Sequence, residues 1–193
     1  ELFLDAEIKE AICARFDLTA GLDRSDPLFE TKRDAILHPF LGYDIYREHV
    51  ARSAAFPAGT IAAEDTTSQG GQVRRAREGQ DEHTGPIRGW EDFEAYQWPK
   101  VSDVDFRPSE YLEKNLPDNV GWYELTGHIF ETLTFLLGYE ALCYYMVDQP
   151  ALVDAILEKV GVYYVEFTRT LAGFAKVAVI WGSDDLGFRS GTM

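Results

Sequence analysis

The sequence predicts an α/β fold built on a parallel sheet. Three observations carry that expectation. Short extended stretches alternate with helical ones along most of the chain. Pro150 opens an amphipathic run to about Leu171, with Leu152, Ile156, Tyr163, Phe167 and Leu171 near one face. Lys176 to Trp181 is then a near-continuous apolar run, the pattern of a strand buried on both sides. Strands separated by helices pair in parallel through right-handed crossovers.

The elements follow in order. Residues 6 to 17 read as a helix capped by Asp5, with Ile8, Ile12 and Phe16 recurring every four positions and Cys13 on its apolar stripe. A second helix is expected from Asp26-Pro27, a cap followed by a proline in the first turn, to about Leu37, with His38-Pro39 closing it. Leu41 to Tyr46 reads as a turn feeding a short strand. Residues 50 to 90 are the least periodic part, with a Gly-rich stretch at Ser68 to Gly71, a basic patch at Arg74, Arg75 and Arg77, and a turn at Gly85-Pro86. This region reads as an excursion from the core, with extended pairing around Thr60 to Ala63. Trp90 starts a short helix that Trp98-Pro99 stops, and Trp90, Phe93 and Trp98 are expected to act as packing anchors.

Residues 107 to 115 read as a helix, Pro117-Asp118-Asn119 as a turn, and Val120 to Leu125 as a strand. Gly127 opens a helix carrying Phe130, Leu133 and Leu137, which Gly138 interrupts before a second helical piece from Tyr139 to Val147. The last strand runs into Gly182-Ser183-Asp184-Asp185-Leu186-Gly187, and no covering helix follows it. The chain is therefore expected to be cut within its fold or completed by a partner.

Composition narrows the function. The 193 residues suffice for one domain with a core, and 18 basic against 33 acidic residues leave a net charge of −15. An acidic surface repels phosphate backbones and anionic lipid, which argues against nucleic acid and membrane partners. Cys13 and Cys143 form no CxxC pair, so they read as two buried free thiols of a reducing cytoplasm. No targeting segment is visible at the start. Phe130 to Val147 is broken by Glu131, Gly138 and Glu140 and reads as core helices rather than a membrane span.

Three stretches resemble the uroporphyrinogen decarboxylase superfamily. They are Gly85 to Pro99, Gly127 to Glu140, and above all Ile180 to Met193, Ile-Trp-Gly-Ser-Asp-Asp-Leu-Gly-Phe-Arg-Ser-Gly-Thr-Met. The resemblance implies the first half of a TIM (β/α)8 barrel, about four β/α units, with an irregular insertion around residues 50 to 90. It makes residues 1 to 193 an incomplete barrel domain. It also places Glu1 to Phe3, the loop after Tyr46, Glu124 to His128 and Ser183 to Arg189 around one mouth, at the carboxyl ends of the strands.

Candidate residues follow from those positions. Asp184 and Asp185, after the last strand, are candidate catalytic acids that could steady a protonated pyrrole or orient substrate; their bland alternative is a helix cap or a loop ion pair. His128 and Glu131 share a helical face and form a candidate proton-transfer pair, against the alternative of a hydrogen bond at the helix start. Arg189 is the better candidate anion binder, and Phe188, Gly187 and Glu124 are further substrate-binding candidates. Arg74 and Arg75 are further candidates, or else belong to a solvated loop. The histidines show no metal spacing, so no metal site is expected within the chain.

The resemblance implies two activities. One is cofactor-free removal of the acetate carboxylates of uroporphyrinogen III to give coproporphyrinogen. The other is methyl transfer between a corrinoid and a thiol, using zinc whose ligands would lie outside this chain. The decarboxylase motif Arg-Gln-Ala-Gly-Arg-Tyr is missing, with Glu1-Leu2-Phe3-Leu4 near its place, and the Asp-Asp-Leu-Gly-Phe wording leans toward the methyltransferase-like branch. Either way the expected partner is a small molecule, a tetrapyrrole or a corrinoid, with homodimer formation open. A third reading makes the chain a non-catalytic half-barrel that self-associates through exposed strand edges.

Overall fold

The structure, a computed structural model, describes residues 6–48, 56, 60–64, 76–80, 84–125, 128–182, 184, 187–188 and 191–192. Helices α1 (Ala6–Phe16) and α2 (Phe29–Phe40) lead into strand β1 (Ile45–Glu48). Strands β2 (Thr60–Glu64) and β3 (Ala76–Gln80) are followed by helices α3 (Trp90–Ala95) and α4 (Arg107–Asn115) and strand β4 (Gly121–Leu125). Helices α5 (Ile129–Leu137), α6 (Tyr139–Asp148) and α7 (Pro150–Leu171) then precede strands β5 (Val177–Trp181), β6 (Gly187–Phe188) and β7 (Gly191–Thr192). The mixed α/β class is as the sequence predicts, and Glu1 to Phe3, expected at the barrel mouth, lie outside the described residues.

The chain divides into two units. The first comprises Glu1–Ser53, Asp103–Thr126 and Phe167–Trp181. Its centre is a three-stranded sheet in the order β1-β4-β5, parallel throughout. Ile45 stands opposite Gly121 and Glu48 opposite Glu124, while Leu125 pairs with Trp181. Trp122 is fully buried, with the Phe174 ring 5.6 Å away, and Phe106 stacks on Phe167 at 5.9 Å. The entry to β5 is fixed by Glu113, whose carboxylate accepts the N–H groups of Ala175 (3.2 Å) and Lys176 (2.9 Å). Lys176 in turn donates to the Leu116 carbonyl, closing the end of α4.

Three expectations in this unit need correction. The face of α1 bearing Ile8 and Phe16 stays half-exposed, at 47% and 51%, and the helix buries Cys13 instead. The reason is ionic. Lys9 pairs with Asp34 at 2.5 Å, Glu10 with Arg33 at 3.2 Å and with Arg24 at 2.9 Å, and Arg33 with Asp34 at 2.6 Å, so the polar side of α1 faces α2. Helix α2 starts at Phe29 because Asp26 closes a turn first, its carboxylate taking the Leu28 N–H and its carbonyl the Phe29 N–H, both at 2.8 Å. The helix also runs through Pro39 to Phe40, past the His38-Pro39 stop that the sequence suggested. Strand β5 is not buried on both sides. It pairs only with β4 among the described residues, leaving Val179 and Trp181 each 48% exposed.

The second unit comprises Ala54–Ser102, Gly127–Glu166 and Gly182–Met193. Thr60 pairs with Gln80 and Glu64 with Ala76 in the antiparallel β2-β3 hairpin, where the sequence expected extended pairing. Gly138 adopts φ +85° and separates α5 from α6 as read from the sequence. The C-terminal carbonyls of α5 are taken up by the chain at residues 85–87: Gly85 donates to Leu137 at 2.7 Å and Ile87 to Leu136 at 2.9 Å. The approach is so close that a Cβ on Gly85 would stand 2.2 Å from the Leu136 oxygen. Leu133, Leu136, Leu137, Leu152, Ile156 and Val160 are buried, as the periodicity of α5 and α7 requires.

Helix α6 departs from expectation. Leu142 is its one buried residue, and Cys143 is exposed, so the two thiols differ: Cys13 is buried and Cys143 is not. Trp90 is half-exposed beside Phe93, whereas Phe93 is buried as an anchor. No helix among the described residues is long and apolar enough to cross a membrane.

Candidate functional site

A helix start leaves N–H groups without intrahelical partners. At α5 the N-cap is His128, in extended backbone with φ −92° and ψ 121°, and its side chain does not cap. Asp184 does so from a distant part of the second unit. Its two carboxylate oxygens accept the Phe130 N–H at 2.7 Å and the Glu131 N–H at 3.1 Å. The positive end of the helix dipole favours a carboxylate at this place. The bland alternative weighed for Asp184 is therefore what its geometry displays, supplied from across the fold rather than from an adjacent residue.

Relieved of capping, His128 turns to Glu131, with Nδ1 3.5 Å from Oε2 and side chains 26% and 37% exposed. Both are reachable by a small solute. Behind them, the Thr132 hydroxyl donates to the His128 carbonyl at 2.6 Å and lies 3.0 Å from the Tyr164 hydroxyl. Burial pushes the Tyr164 phenol above its ordinary pKa; the Thr132 hydrogen bond works against that, and the Asp184 and Glu131 charges add to it. The result is a polar cluster of five side chains gathered at one helix start, in which an imidazole–carboxylate pair is open to solvent and a part-buried phenol stays protonated.

The other candidates are distributed differently. Glu124 lies on β4 in the first unit, fully buried, in register with Ile180 of β5. Gly187 and Phe188 form β6, which pairs antiparallel with β7. Asp185, Arg189, Arg74 and Arg75 lie outside the described residues. Arg77 lies on β3 opposite Ala63. Among the described residues no three His, Cys, Asp or Glu side chains gather where a metal ion could be held, so zinc finds no ligand set there.

Sequence reasoning missed Thr132 and Tyr164. Thr132 stands one helical turn after His128, a spacing that could have suggested the hydroxyl-to-carbonyl bond. Tyr164 sits on α7 and carries no local signal of its partner. Comparison with protein-family models, with curated proteins and with solved structures finds no match for the chain.

Proposed function

We propose that the chain is the first half of a (β/α)8-barrel enzyme of the uroporphyrinogen decarboxylase superfamily, removing acetate carboxylates from a tetrapyrrole. The observation that carries this reading is the solvent-reachable His128–Glu131 pair at the point where parallel strand β4 hands over to α5. Barrel enzymes set their chemistry on such strand-to-helix connections. The neighbour order β1-β4-β5, all parallel and joined through helices, agrees with three consecutive barrel strands.

The chemistry asks for a proton shuttle. Losing an acetate carboxylate as CO2 leaves an electron pair on the side-chain carbon, and a protonated pyrrole ring accepts it. A second proton at the methylene then completes the methyl group, and the ring proton returns to the enzyme. Histidine is the residue type suited to both transfers near neutral pH, and Glu131 stands 3.5 Å from the imidazole. Asp184 is a positioning residue in this scheme: by fixing the start of α5 it sets where His128 and Glu131 stand.

The test is anaerobic incubation of the full-length protein with uroporphyrinogen III, separating products by their number of carboxylates. The expected result is stepwise conversion to the tetracarboxylate. No loss of carboxylates overturns the reading. Methyl transfer from a methylcobamide to a thiol under matched conditions would move the protein to the other branch.

A further inference from the structure

Helix α6 carries apolar residues on its outer side as well as its inner one. On the inner side Leu142 is buried, Ala141 and Tyr145 are half-buried, and the Tyr145 hydroxyl donates to the Arg88 backbone carbonyl at 2.9 Å. The outer side carries Tyr139, Cys143 and Val147, a row at four-residue spacing, with Met146 beside it. These residues meet solvent: Val147 is 80% exposed and Met146 54%, and Cys143 is exposed too. A helix apolar on all sides is ordinarily covered on all sides. Contiguous exposed apolar surface of this kind marks an interaction site.

Charge narrows what covers it. The next row of α6 is Glu140, Tyr144 and Asp148, all exposed. It bears a carboxylate at each end, about 12 Å apart at the helical rise of about 1.5 Å per residue. The Asp148 carboxylate forms no ion pair or hydrogen bond among the described residues. From Ile129 to Glu158 the chain has five carboxylates, Glu131, Glu140, Asp148, Asp154 and Glu158, and no lysine or arginine. A second copy of this face would bring only further carboxylates to it, and an anionic lipid surface would be repelled. An occupant that matches both rows is apolar on one side and positively charged beside it.

We propose that the outer face of α6 docks a cationic amphipathic helix of a partner protein. The partner's apolar side covers the Tyr139–Cys143–Val147 row and Met146, an unbranched side chain that adapts to the surface laid on it. Its lysines or arginines lie along the Glu140–Asp148 row. The inference does not depend on the reaction proposed above.

The probe is a short fluorescein-labelled amphipathic helical peptide of leucine and lysine, titrated against the native protein by fluorescence anisotropy. The expected result is saturable one-to-one binding that weakens as salt rises. A peptide with glutamate in place of lysine should not bind, and one of the same composition in scrambled order should bind about tenfold or more weakly. Val147→Lys and Asp148→Lys alter exposed positions, so the fold should stand, and each should weaken binding about tenfold or more. Glu94→Lys, a charge reversal of the same size at an exposed position of α3, should leave affinity unchanged. Cys143 reports on the face itself: saturating peptide should slow its reaction with Ellman's reagent. Equal binding of the scrambled peptide, or a loss with Glu94→Lys matching that with Asp148→Lys, would reduce the effect to bulk charge and overturn the proposal. Affinity indifferent to Val147→Lys, or a Cys143 that reacts as fast with peptide bound, overturns it as well. A dimer of the protein alone, seen in sedimentation and abolished by Val147→Lys, would give the face to a second copy and equally overturn it.

Discussion

Replacing Asp184 separates its capping role from a catalytic one. Its carboxylate takes two α5 N–H groups, those of Phe130 at 2.7 Å and Glu131 at 3.1 Å. Removing an N-cap side chain costs about 0.5–2 kcal/mol. Loss of a carboxylate from a helix N-terminus adds about 0.3–1 kcal/mol. Asp184→Ala should therefore destabilise the protein by about 2 kcal/mol, lowering Tm by about 4–8 °C for a chain of this length. Asp184→Asn keeps one acceptor oxygen and should cost about half as much. Urea unfolding gives the free energies, and amide exchange at Phe130 and Glu131 reads the cap directly, with both amides exchanging faster in Asp184→Ala. If both variants melt as the wild type does, and those amides keep their protection, Asp184 does not hold α5.

Further outcomes follow from the same geometry. Gly85→Ala puts a Cβ 2.2 Å from the Leu136 oxygen and must separate the 85–87 segment from the end of α5, costing about 2–4 kcal/mol in urea unfolding; a neutral result would mean the segment is not held there. Ile156→Ala, at a fully buried position of α7, should cost about 2–5 kcal/mol. In the native protein, Ellman's reagent should find Cys143 and miss Cys13, whose thiol burial pushes upward in pKa, and a denaturant should release the second thiol. The Arg107 guanidinium holds the Asp105 carboxyl down to about 2 from its ordinary 3.8. A folded pKa below the unfolded one stabilises above about pH 4 and is lost as pH falls toward about 2. Both groups are exposed, so the contribution is small, but a carboxyl NMR titration should show the low midpoint and its return toward the ordinary value in Arg107→Ala.

The legible parts of the fold were those decided locally. Helix α7 could be read in full, bounds and buried face together, because Pro150 starts it and Leu152, Ile156, Tyr163, Phe167 and Leu171 repeat at helical spacing. Gly138 announced its break, and Pro117 its turn, through backbone chemistry alone. What stayed hidden was decided by distant partners. The buried face of α1 depends on Asp34, 25 residues from Lys9, and ion pairing there overrode the Ile8–Phe16 stripe. The apolar content of β5 signalled a strand, but burial depends on neighbours, and β4 is its one strand partner among the described residues. At the candidate site, His128 and Glu131 were legible as neighbours three residues apart on one helix. Asp184 was legible as an acid after a strand. That it reaches back 54 residues to the Phe130 amide is a tertiary fact with no local trace.

The most direct test of the functional account is His128→Gln in the full-length protein, with uroporphyrinogen III turnover and melting temperature measured together. His128 is partly exposed and caps nothing with its side chain, so the fold should be unaffected and Tm should match the wild type. The account expects turnover to fall about 10²-fold or more, the worth of a positioned proton-transfer group. Wild-type turnover in this variant, at unchanged stability, would contradict it.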